Sequence, residues 1–179
     1  MKRIVIISTT LRKGGNSHLL AEAFAAGAKE AGNEVEVISL RDKSIAFCKG
    51  CFACQKLGKC IVKDDAVEIA DRICEAEVVV WVTPIYYYEM SGQMKTMIDR
   101  ANSLYSRDYR FREVYLLSCA ADDAPETDAG AAKGVQGWVD CFEKATFAGK
   151  LFVGGVNNVG EITGNDGLVR AYEMGKSIE

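Results

Sequence analysis

Apolar positions along the chain fall into short unbroken runs separated by stretches of helical period. Ile4 to Ser8 (IVIIS) is a nearly continuous run rich in β-branched residues, which suits a strand covered on both faces of a parallel sheet. A polar loop follows, Thr9-Thr10-Leu11-Arg12-Lys13-Gly14-Gly15-Asn16-Ser17. Leu19, Leu20, Ala23, Phe24 and Ala28 then recur at helical spacing as far as Gly32, a C-cap. Glu34 to Leu40 (EVEVISL) alternates as a second strand, so the chain opens as a βαβ unit. Beyond it the pattern predicts helices over Ala66–Ala76, Met90–Leu104, Lys133–Ala148 and Asp166–Ser177. Strands are predicted over Glu77–Thr83, Glu113–Ser118 and Lys150–Val156.

Five strands alternating with helices predict an α/β fold, a flavodoxin-like doubly wound five-stranded parallel sheet in three α/β/α layers. The 179 residues suit one such domain, 1–179. Small ligands on these sheets bind beyond the carboxyl ends of the strands, where the strand order switches. The loops after Ser8, Thr83 and Ser118 are therefore the candidates. Residues 41–65, roughly 25 positions between the second strand and the next helix, exceed the usual 2–6 of an α/β loop. The segment is either a functional insertion or a disordered one.

Composition narrows the classes. The chain is 49% apolar and 26% charged with two prolines, as in ordinary globular proteins. Its 22 basic and 25 acidic residues give a net charge of −3, no footprint for nucleic acid. No apolar run approaches the roughly 18 residues of a membrane span. Met1-Lys2-Arg3 precedes only Ile4 to Ile7, too short for a signal peptide, so a cytoplasmic protein is expected. There are seven cysteines. In a reducing compartment clustered cysteines are more often metal-binding or redox-active than disulfide-bonded.

Three loops carry the candidate chemistry. In the first, Gly14 and Gly15 let backbone approach a ligand at a helix N-terminus, where free N–H groups favour an anion. Thr10, Asn16 and Ser17 supply donors there and Arg12 a charge; the bland alternative is a glycine turn with Asn16 or Ser17 as N-cap. The loop is neither a Walker A motif nor G-x-G-x-x-G. In the second, Pro84-Ile85-Tyr86-Tyr87-Tyr88 offers aromatic faces to a planar ligand, or an aromatic hinge or subunit contact. In the insertion, Cys48, Cys51, Cys54 and Cys60 form C-x2-C-x2-C-x5-C. Such spacing lets three thiolates converge on one cubane with a fourth from a nearby turn. Zinc, a thiol–disulfide pair such as Cys51 and Cys54, and unligated thiols are the alternatives. Cys74, Cys119 and Cys141 stand alone beside apolar elements. His18, the only histidine, has no partner by spacing, so no Ser/His/Asp set can be built.

Together these residues resemble the flavodoxin-like NAD(P)H-dependent FMN reductase family, and within it the iron–sulfur flavoproteins. The resemblance rests on Arg12 to Ser17, Cys48 to Cys60, Lys63-Asp64-Asp65, Thr83 to Tyr86, Ser91 to Lys95 and Ile98-Asp99-Arg100. It implies FMN, with Thr10, Arg12, Asn16 and Ser17 at the phosphate and His18 beside them in the cofactor-binding set. Pro84, Ile85, Tyr86 and Tyr87 would flank the ring, and the loop from Cys119 through Ala120 to Asp122 would close its other edge. Thr9-Thr10-Leu11 stands where the family usually shows Gly-Ser-Pro. The resemblance further implies NAD(P)H as electron donor, a 4Fe–4S cluster on the four cysteines, and a small-molecule or protein acceptor. A homodimer or homotetramer is expected, with no nucleic-acid or membrane partner. A non-enzymatic electron carrier and a zinc- or thiol-based redox sensor are the competing functions.

Overall fold

The computed structural model describes residues 1–179. Its elements are β1 (Arg3–Ser8), α1 (Asn16–Glu30), β2 (Glu34–Ser39), α2 (Ala53–Leu57), α3 (Asp65–Glu75), β3 (Val78–Tyr86), β4 (Glu89–Met90), α4 (Gly92–Arg100), a 3₁₀ segment (Ala101–Ser106), β5 (Glu113–Cys119), α5 (Ala129–Val139), β6 (Thr146–Val153) and α6 (Asp166–Lys176). Five strands pair in parallel in the order β2-β1-β3-β5-β6, and β4 folds back antiparallel on the end of β3. The order reverses between β1 and β3, which places the switch point at their carboxyl ends.

Alternate residues of the central strands feed two cores. Val5, Ile7, Val79 and Trp81 meet the side of the sheet covered by α3, α4 and α5. Ile4, Ile6, Val78, Val80 and Val82 face α1 and α6. Both faces of β1 and β3 are thus dry, which accounts for their unbroken apolar sequence. On the second face two helices touch backbone to backbone. A Cβ on Gly27 of α1 would fall 1.9 Å from the Tyr172 carbonyl oxygen, and one on Gly175 of α6 would fall 2.1 Å from that of Phe24.

Three elements depart from the expected pattern. The single helix expected over Met90–Leu104 is divided: Met90 pairs in β4, Ser91 caps α4 by accepting from the Met94 amide at 3.3 Å, and the last turns tighten into the 3₁₀ segment. The helix expected over Lys133–Ala148 begins at Ala129 and stops at Val139. Trp138 and Phe142 there close on Phe111, with ring centroids 5.6 and 5.0 Å away, and the chain must turn to let them. The freed residues from Thr146 join β6, a half-exposed strand at the sheet edge whose small residues mimic helical spacing. Within the insertion, α2 is a helical turn that its cysteine-rich sequence does not announce. No helix is long and apolar enough to cross a membrane.

The β3–β4 hairpin turns on Tyr87 and Tyr88, with φ of 50° and 66°. Two-residue hairpin turns with both residues left-handed favour Asn-Gly, and a bulky residue there costs roughly 1–2 kcal/mol. The double change Tyr87→Asn, Tyr88→Gly is therefore expected to raise stability by about 1–2 kcal/mol in urea denaturation. A loss of stability would mean that the tyrosine rings compensate the strain.

Candidate functional site

The carboxyl ends of β1, β3 and β5, with the loop after β6, enclose a cleft of about 140 Å³. The β1 loop contributes Thr10, Arg12, Gly15, Asn16 and Ser17. From β3 come Pro84, Ile85 and Tyr86, from β5 Cys119, Ala120 and Ala121, and from the β6 loop Val156 and Asn157. At one end stands the N-terminus of α1, capped by Gly15 with no side-chain hydrogen bond. The Asn16 and Ser17 amides have no backbone acceptor. A side chain on Gly15 would run into Thr10 Oγ1 at 2.9 Å and the Arg12 carbonyl at 3.1 Å. Glycine is thus required to keep the turn tight and the helix end open, an arrangement suited to an anion.

A buried set of hydroxyls holds the loops around this cleft. Thr9 Oγ1 donates to the Val82 carbonyl at 3.0 Å and meets Ser91 Oγ at 3.0 Å. The Ser91 amide donates to Thr83 Oγ1 at 3.0 Å. The β1 loop, the end of β3 and the start of α4 are thereby tied together away from water. The roles of Thr9, Thr83 and Ser91 here were not legible in their local sequence.

Asn16 lines the cleft but its amide group is engaged elsewhere. Nδ2 donates to the Asn158 carbonyl at 2.9 Å, and Oδ1 accepts from the Ile162 amide at 3.2 Å. Its side chain therefore holds the β6 loop, and what it presents to the cleft is its backbone N–H. Arg12 Nη1 reaches the Asn157 carbonyl of the same loop at 2.7 Å. That loop was absent from the expected site, although Gly154-Gly155 marked it: a Cβ on Gly154 would lie 2.4 Å from Asp123 Cα.

Three residues expected at the cofactor stand outside the cleft. His18 turns its Nδ1 to Ser8 Oγ at 3.0 Å and its Nε2 to Glu22 at 3.3 Å, on the flank of α1. Tyr87 is 99% exposed at the hairpin tip, because the turn throws successive side chains apart. Asp122 accepts from Thr127 Oγ1 at 2.6 Å and shapes the β5 loop from within.

Cys119 closes the floor of the cleft. Burial pushes its thiol up to about 12, against the pull of the adjacent Ser17 hydroxyl and amide and of Arg12. Because the folded protein holds this proton more tightly than the unfolded chain, the contribution to stability is complete below the ordinary 9.0. It is lost as pH rises from there toward about 12. We expect iodoacetamide at pH 8 to label the exposed Cys141 and to spare Cys119. We also expect Cys119→Ser to flatten the alkaline fall in melting temperature. Labelling of native Cys119 at the rate of Cys141 would contradict the burial.

The four insertion cysteines, all free thiols, edge a separate small cavity between α2, α4 and the 3₁₀ segment. As they stand, no three His, Cys, Asp or Glu side chains converge closely enough to hold a single metal ion. The Gly50 amide points to Cys48 Sγ at 3.5 Å and Asn102 Nδ2 to Cys54 Sγ at 3.3 Å. Arg100 fastens the insertion at its base. Its Nη1 donates to the Ala46 carbonyl at 2.8 Å and to Asp64 Oδ2 at 2.5 Å. Its Nη2 donates to the Val62 carbonyl at 3.0 Å and to Asp64 Oδ1 at 2.8 Å. Burial opposes the Asp64 charge, but the guanidinium and the Ala46 and Ala66 amides outweigh it and hold the carboxyl below its ordinary range.

Residues 2–130 match the family model described as NADPH-dependent FMN reductase. The chain belongs to this family. Within it the chain stands close to the iron–sulfur flavoproteins. One from Archaeoglobus fulgidus is 39% identical over 97 residues, 54% of this chain and 48% of that protein. Another, from Methanosarcina thermophila, is 27% identical over 163 residues, 91% of this chain and 83% of that protein. The chain spans about half the length of the first curated relatives it matches. Among solved structures, an NAD(P)H:quinone oxidoreductase from Methanothermobacter marburgensis superposes with a TM-score of 0.79 at 16% identity, covering 99% of this chain and 96% of that one. The fold of this FMN reductase family member is thus shared well beyond detectable sequence likeness.

Proposed function

We propose that this FMN reductase family member is a flavoprotein oxidoreductase that passes electrons from NAD(P)H through FMN to an acceptor, by way of an iron–sulfur cluster on Cys48, Cys51, Cys54 and Cys60. The observation that carries the FMN reading is the N-terminus of α1, free of any side-chain cap, opening at the switch point into a cleft whose far end is Pro84, Ile85 and Tyr86. The Asn16 and Ser17 amides, Thr10, Ser17 and Arg12 would hold the phosphate. Pro84 to Tyr86 would pack the ring, with Cys119 and Ala120 along its other edge. Bound FMN supplies the hydride and electron chemistry. The protein's part is to orient it and keep water off the floor, which the fully buried Thr9, Thr83 and Ser91 and the neutral Cys119 thiol do without offering a charge.

The cysteine spacing suits a cluster better than zinc. Structural zinc sites typically use two separated C-x2-C pairs, whereas the C-x2-C-x2-C-x5-C spacing here suits a cubane with its fourth ligand from a nearby turn. The sulfur-directed donors from Gly50 and Asn102 suit thiolates. Exposed tyrosines 86 to 88, with Phe47 and Phe52 of the insertion, support a homodimer or homotetramer and a docking acceptor, small or protein. On this reading 1–179 is one cytoplasmic domain with a cysteine-rich insertion at 41–65, and it has no nucleic-acid or membrane partner.

The test of the flavin site is Arg12→Ala combined with Ser17→Ala. Each charge-assisted phosphate contact contributes about 1.5–3 kcal/mol, so flavin affinity should fall at least tenfold. The flavin-to-protein absorbance ratio after gel filtration reads this directly, and an unchanged ratio removes the phosphate site. Steady-state NAD(P)H oxidation by the purified protein then separates an enzyme from a carrier between proteins.

A further inference from the structure

Three residues from the junction of α4 and the 3₁₀ segment line the cysteine cavity: Asp99, whose carboxylate is paired with Lys95 at 2.6 Å, Arg100 and Asn102. Asn102 donates to the Cys54 sulfur at 3.3 Å. Arg100 is 2% exposed, and its four Nη hydrogens are spent on Ala46, Val62 and the two oxygens of Asp64. Its fifth donor, Nε–H, is buried with no partner. The Cys60 side chain stands beside the same guanidinium. Leaving a buried N–H unpaired costs about 1–3 kcal/mol, and native folds rarely keep one. Fastening the insertion uses only the Nη groups. Arg100 lines the cysteine cavity, and its spare donor is left over for an acceptor other than those that fasten the insertion.

We propose that Arg100 and Asn102 are positioning residues that set the reduction potential of the cluster held by Cys48, Cys51, Cys54 and Cys60. This rests on the cluster reading above. Four thiolates give a cluster net negative charge, and reduction adds one electron to it, supplied by the reduced flavin, with no bond made or broken. A fixed positive charge and N–H donors against its sulfurs stabilise the more negative state and raise the potential. Asp64 compensates the guanidinium charge from the side remote from Nε, so the pair presents an oriented donor rather than a bare cation.

The test is an anaerobic redox titration monitored by electron paramagnetic resonance, with iron and sulfide counted on the same whole-chain samples. Wild type is compared with Arg100→Lys, which keeps the charge but loses Nε and the fork, and with Asn102→Ala. Each variant is expected to retain its iron and to show an equilibrium constant for cluster reduction about tenfold lower. For a one-electron couple that is about 59 mV. The flavin potential should not move. Iron retained with an unchanged cluster potential in both variants would overturn the proposal and leave Arg100 as a fastening only. Should Arg100→Lys lose its iron, the Asn102→Ala potential decides alone. Wild-type protein with flavin but without iron and sulfide is a different failure: it removes the cluster reading itself, and this proposal with it.

Discussion

Gly27→Ala is expected to lower the free energy of unfolding by about 2–3 kcal/mol, against the direction that helix propensity alone would give. In an unhindered helix the change would stabilise by roughly 1 kcal/mol. Here the new methyl carbon would fall 1.9 Å from the Tyr172 carbonyl oxygen, a backbone atom of α6 that cannot rotate aside. The helices must separate, and the packing of Phe24 and Ala171 beneath them loosens with them. Gly175→Ala meets the mirror-image obstacle at Phe24 and should cost a similar amount. The double variant should cost less than the sum, because helices already parted leave room for the second methyl. Urea denaturation of the three proteins checks this. A gain in stability from Gly27→Ala would show that α1 and α6 do not touch as described.

Asp64→Ala carries the other large effect, about 3–5 kcal/mol. The Asp64 side chain is the counter-ion of a guanidinium with no solvent exposure, and it also accepts from the Ala46 amide at 2.9 Å and the Ala66 amide at 3.1 Å. Removing it leaves a buried positive charge and an uncapped α3 together. The loss should concentrate in the insertion. Amide hydrogen exchange should accelerate across residues 47–62 while β1 and β3 keep their protection. Adding Arg100→Leu to Asp64→Ala should recover part of the loss, since both charges are then gone. Uniform acceleration through the sheet would mean that the pair supports the whole domain rather than the loop.

What the sequence revealed follows from how local each cause is. The strands β1 and β3 were legible because dryness on both faces writes itself as unbroken Ile and Val. The ends of α5 were not, because Trp138 and Phe142 answer to Phe111 from another part of the chain. The glycine turn before α1 was readable as a turn at a helix start, and Thr10, Arg12, Gly15 and Ser17 line one cleft there. Asn16 shows the limit. Its type suggested a phosphate donor, yet its amide group belongs to Asn158 and Ile162, more than 140 positions away. Thr9, Ser91 and Asn157 were missed for the same reason, and His18 and Asp122, placed in the cofactor set by the family resemblance, turn to Ser8, Glu22 and Thr127. Residue type and spacing register chemistry within a loop; they are silent about which distant backbone claims it.

The cysteine insertion leaves the body at Ala46 and returns by Val62 and Asp64, and one arginine grips all three. Between those points it is held by the 3₁₀ segment, where Asn102 donates to the Cys54 sulfur and Ser106 to the Cys54 carbonyl, and not by the sheet. Such a detour can be lengthened, stripped of thiols or refitted for another cargo while the flavin end of the fold is left as it was. A lineage that kept this clasp would have free hands inside the loop, whereas one that lost it would have to anchor the loop anew before changing anything within.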